Sequence, residues 1–79
     1  MTNAINLKDS HLIEFSVYSG GQRIICFIRY EALKDHLGAT SGSVVDVLEA
    51  NRGCIDPVAI RVANRTPDGG HVIVETSDL

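Results

Sequence analysis

Tryptophan is absent from this 79-residue chain, and tyrosine and phenylalanine supply two residues each. Aromatic residues are scarce, at 5% of the chain. A basic patch is missing too: seven lysines and arginines face ten acidic residues, for a net charge of −3, which argues against a nucleic-acid partner. Two cysteines are too few for a disulfide framework, so both thiols are expected reduced and the cytoplasm is the default compartment. No apolar run reaches the length of a membrane span, and Met1–Ser10 has no apolar signal core. The three histidines, His11, His36 and His71, stand in separate segments, and none is spaced with a cysteine or another histidine as a zinc ligand. No metal or cofactor is expected.

What remains is ordinary globular material, 44% hydrophobic and 22% charged. A chain this short forms one domain and buries only about 60–65% of its unfolded surface, so its stability margin is thin.

The most strand-like run is Gln22–Tyr30, QRIICFIRY, rich in β-branched and aromatic side chains that suit a pleated, half-buried surface. Before it, Leu12–Tyr18 alternates apolar and polar residues over most of its length. Gly20-Gly21 lies between them, and two glycines meet the positive-φ requirement of a two-residue β-hairpin turn. Counting outward from that turn sets Tyr18 opposite Arg23, Val17 opposite Ile24, Phe15 opposite Cys26 and Ile13 opposite Ile28. One face then carries Ile13, Phe15, Val17, Ile24, Cys26 and Ile28 and is wholly apolar. The other carries Glu14, Ser16, Tyr18, Arg23, Ile25, Phe27 and Arg29 and is mixed. A slip of one residue would mix charged and apolar side chains on both faces. Tyr18 and Arg23 are placed to stack.

Downstream, Tyr30–Leu37 reads as a short helix with Tyr30, Leu33 and Leu37 on one side and Gly38 as its left-handed cap. Thr40–Ser43 is a loop offering hydroxyl N-caps. From Ser43 to Asn64, residues Val44, Leu48, Ile55, Val58, Ala59 and Val62 hold one helical phase, interrupted by Gly53 and Pro57. The reading is two consecutive helices, Ser43–Arg52 and Pro57–Asn64, with Asp56 as the second N-cap; one kinked helix is the alternative. Thr66–Gly70 is turn chemistry, and His71–Thr76 is the last strand, with Val72 and Val74 inward. Ala4–Leu7 offers a short edge strand, and Met1–Asn3 is expected to fray. The expected fold is two-layer α+β: a small sheet, hairpin plus C-terminal strand, covered on one face by helices in the order β-β-α-α-α-β.

Ile25-Cys26-Phe27-Ile28 running into Glu31-Ala32-Leu33, followed by Leu48, Asn51-Arg52, Ile55, Ala59 and Val62, resembles the small bacterial proteins grouped as domain of unknown function 1488. The resemblance covers nearly the whole chain. It departs at Arg29, where relatives more often carry a small polar residue, and at Gly53 and Pro57. It implies an α+β fold in the cytoplasm and supplies no activity to carry over.

No acid, base and nucleophile set can be assembled, so an enzyme is not expected. Cys26 reads as a buried core thiol and Cys54 as structural. The leading expectation is a non-enzymatic interaction or regulatory module acting as a homodimer. Its contact surface is the outer sheet face: Ile25, Phe27 and Ile73, joined by Leu12 or Tyr18 and rimmed by Arg23, Arg29 and Glu14. The bland alternative is that Ala4–Leu7 or the C-terminal tail folds back over this face. The rival function is small-ligand binding in a cleft at Asn51, Arg52 and the 53–56 helix break. Asn51 otherwise bonds the helix end, and Arg52 pairs with Glu49 or Asp56.

Overall fold

The computed structural model describes residues 4–40, 42–67 and 70–79. The expected fraying of Met1–Asn3 and the middle of the Thr66–Gly70 turn lie outside the described residues. Strands β1 (Ile5–Leu7), β2 (Leu12–Ser19) and β3 (Gln22–Arg29) are followed by helices α1 (Tyr30–Leu37), α2 (Val44–Ala50) and α3 (Arg52–Arg65), then by β4 (Val72–Val74). Short 3-10 turns cover Lys8–Ser10 and Thr76–Asp78. The order is thus β-β-β-α-α-α-β, the expected α+β arrangement with the N-terminal edge strand included.

The four strands lie in the order β1-β2-β3-β4. β2 and β3 pair antiparallel across Gly20-Gly21, with Phe15 opposite Cys26 and Tyr18 opposite Arg23, the register obtained by counting from the turn. Gly20 and Gly21 have φ of 60° and 79°, which an L side chain would resist. β4 joins β3 in parallel. A parallel neighbour needs a crossover connection, and the three helices supply it.

All three helices serve one face of the sheet. Ile13, Phe15, Val17, Cys26, Ile28, Val72 and Val74 point inward and are buried, against Ala32 and Leu33 of α1, Leu48 of α2, and Ile55, Ala59 and Val62 of α3. α1 keeps its expected bounds, and Gly38 closes it in the left-handed conformation, φ 73°.

The second helical stretch differs from expectation. Its break falls at Asn51, not at residues 53–56. Asn51 takes φ −116° and ψ 19°. Its N–H donates to the Val47 and Leu48 carbonyls, ending α2, and its own carbonyl accepts from Cys54 and Ile55, starting α3. Asp56 is therefore helical and is not an N-cap, and Pro57 lies inside α3. Proline here removes the bond to the carbonyl of Gly53, four residues back. Gly53 is exposed, so water can reach that carbonyl. The weakened first turn is braced by Arg52, whose Nε donates to Asp56 Oδ1 at 2.6 Å. Ser43 does precede α2, but its hydroxyl makes no cap and turns back to accept from the Thr40 N–H at 2.9 Å.

Candidate functional site: the open face of the sheet

Strand alternation sends every second side chain of this sheet away from the helices. Pairing aligns those outward residues in rows. Ile5, Glu14, Phe27 and Ile73 form one row across all four strands. Leu7, Leu12 and Arg29 form the next. Arg29 Nε meets Glu75 Oε1 at 3.0 Å beyond the end of β4. Toward the turn lie Ser16 with Ile25, and then Tyr18 with Arg23.

Tyr18 is 64% exposed, Ile5 52% and Ile25 40%, whereas Phe27 and Ile73 are half-buried by their neighbours. His71 sets its ring edge-on to Phe27, 5.9 Å between centroids. Arg23 does not stack on Tyr18. It reaches diagonally so that Nε donates to Ser16 Oγ at 2.9 Å, and Ser16 is buried although it points outward. Glu14, half-buried at the centre of the face, forms no ion pair among the described residues.

Neither segment expected as a cover lies over this face. β1 pairs alongside β2 and widens it. The tail turns to the helix layer, where Arg61 donates to the Asp78 carbonyl at 3.0 Å and Arg65 pairs with the Asp78 carboxylate. The Glu75 N–H donates to that carboxylate and, with Arg65, holds its pKa below the ordinary value.

Asn51 and Arg52, the residues singled out for a ligand, are engaged within the chain. Asn51 Nδ2 donates to the Val47 carbonyl at 2.8 Å, bonding the helix end. Arg52 meets both Glu49 and Asp56. It also donates through Nη2 to the Ser16 carbonyl at 2.6 Å and lies over the Phe15 ring, 5.2 Å from its centroid. The last two contacts were not visible in the sequence. β1 reaches only as far as Glu14, so the β2 edge beyond it is unpaired, and Arg52 satisfies the first carbonyl there that faces outward.

Cys26 is fully buried on the inner face; loss of water pushes its thiol up to about 11, Asp56 adds to the rise and Arg52 opposes it. Cys54 is exposed, as are His11, His36 and His71. Among the described residues no group of three or more His, Cys, Asp or Glu is placed to hold a metal, and no helix is long and apolar enough to cross a membrane.

A family model described as a protein of unknown function (DUF1488) matches residues 7–74. The chain belongs to the DUF1488 family. The match begins on the last residue of β1 and ends on the last of β4, so it takes in the β2–β3–β4 sheet and all three helices. No curated protein and no solved structure matches the chain. DUF1488 membership thus brings relatives but no reaction, and the functional reading rests on the geometry.

Proposed function

We propose that this DUF1488 protein is a non-enzymatic interaction or regulatory module that works as a homodimer in the cytoplasm, two copies packing their open sheet faces together. The observation that carries the reading is the apolar group on the open face, exposed Ile25 and Tyr18 beside half-buried Phe27 and Ile73, with Ile5 beyond Glu14, while the helices cover the opposite face. Contiguous apolar surface of this kind marks an interaction site more often than an idle one. A thin core also gains from further burial.

Charge selects a second copy as the occupant. Glu14 sits unpaired within the apolar row, and burying it against an apolar partner would strand its charge. In a two-fold arrangement Glu14 of each copy meets Arg23 of the other, and the pair forms twice. Association through sheet edges is disfavoured: β1 and β4 have three residues each, and Arg52 occupies the Ser16 carbonyl on the overhang of β2. The two free cysteines suit a reducing compartment. A ligand cleft at Asn51 and Arg52 has less behind it, since the amide and guanidinium are already engaged.

Phe27→Glu tests the reading. The variant stays folded by circular dichroism and sediments as a monomer where the unaltered chain sediments as a dimer. An unaltered chain that is monomeric at high micromolar concentration overturns the proposal.

A further inference from the structure

A concavity lies away from Asn51 and Arg52, neither of which lines it. A cavity of about 470 Å³ opens where the Lys8–Ser10 turn crosses the start of α1, lined among others by Lys8, His11, Arg29, Tyr30, Glu31 and Lys34. The volume lies within the range of small-molecule sites.

The chain has only two lysines, Lys8 and Lys34, and both line this cavity. They come from different elements, the 3-10 turn and α1. Neither forms an ion pair among the described residues, whereas Arg29, Arg52 and Arg65 are each held by a carboxylate. On a protein of net charge −3, both lysines thus stand without an ion pair at one concave place, while Arg23 and Arg61, also outside any ion pair among the described residues, are engaged elsewhere by neutral oxygens. His11 lies there too, held in the left-handed conformation at φ 52°, with its ring 5.5 Å from that of Tyr30. Its carbonyl accepts from the Tyr30 N–H at 3.0 Å, tying the turn to the helix. The residue in the N-cap position of α1 is Arg29, which supplies no side-chain acceptor for the first-turn N–H groups. Tyr30 and Glu31 of that first turn line the cavity together with the lysines, so the positive end of the helix borders it.

We propose that this cavity binds a small phosphate-bearing molecule, with the Lys8 and Lys34 ammonium groups on the phosphate oxygens. A compact ammonium on a flexible stem serves a phosphate as a point charge, which suits lysines arriving from two elements. Glu31 is the one carboxylate among the lining residues. It repels a second anionic group and accepts from a hydroxyl, so the ligand carries its charge at one end and neutral polar groups at the other.

Inorganic phosphate is the probe, followed by amide NMR on the full chain, with chloride at matched ionic strength as the control. Saturable shifts are expected for His11, Glu31 and Ala32. Lys8→Ala and Lys34→Ala each weaken binding about five- to ten-fold, and the double variant abolishes it while the amide spectrum stays folded. Shifts that chloride reproduces, or that survive in the double variant, overturn the proposal. Phe27→Glu leaves the phosphate shifts in place, and the double lysine variant leaves sedimentation unchanged, so this site and the sheet-face dimer stand or fall separately.

Discussion

Ile25 and Ile28 are the same residue type, three positions apart on one strand, yet Ile28 is fully buried and Ile25 is 40% exposed. The same contrast runs through the sheet. Phe15, Val17 and Cys26 are closed off by helices, while Tyr18, Ile25 and Ile5 remain open. Apolar side chains therefore stand on both faces, but polar ones interrupt only the open face, and the helix layer covers the wholly apolar one. On the covered face an apolar side chain contributes to folding of one chain. On the open face it is free to contribute to association, which is why substitutions on the two sides should read out differently.

The comparison breaks most visibly at Leu33, at the centre of the covered side. Leu33→Ala removes a fully buried side chain and should cost about 2–4 kcal/mol, enough to abolish folding in so small a domain. A denaturation midpoint that barely moves would show that the covered face is not the source of stability. Arg52 joins the layers at the sheet edge. Arg52→Ala should cost about 1.5–3 kcal/mol, because the Ser16 carbonyl and Phe15 ring lose their partner together. Arg52→Lys, with no planar fork, should recover only part of it, and full recovery would reduce the role to charge alone.

Cys26 gives a pH-dependent reading of the same burial. Its folded thiol titrates at about 11 against an ordinary 9.0. The stabilisation is thus complete below about pH 9 and is lost as pH rises to about 11, on the order of 3 kcal/mol in all. Cys26→Ala should flatten that part of the stability profile, and a profile unchanged by the substitution would refute the assignment. Thiol labelling of the native protein at neutral pH should modify exposed Cys54 and spare Cys26. The smallest effect belongs to the open face. Ile25→Thr should change the stability of the dilute monomer by less than about 0.5 kcal/mol while weakening association. A loss as large as that of Leu33→Ala would mean the open face is covered after all.

Local chemistry carried much of this fold. Gly20-Gly21 set the register of β2 against β3, and every inward residue from Ile13 to Ile28 followed by alternation. The Tyr30–Leu37 periodicity with Gly38 behind it determined α1 to the residue. Each of these signals acts over a few bonds, and nothing distant opposes it. The helix break was decided otherwise. Pro57 and Gly53 are the strongest local breakers in the stretch, yet the chain turns at Asn51, because the Arg52–Asp56 pair braces the first turn of α3 and Arg52 is drawn to the β2 edge. The parallel placement of β4, the reach of Arg52 to Ser16 and Phe15, and the meeting of Lys8 with Lys34 all join residues more than twenty positions apart. No spacing rule spans such distances; the packed layers alone bring those groups together.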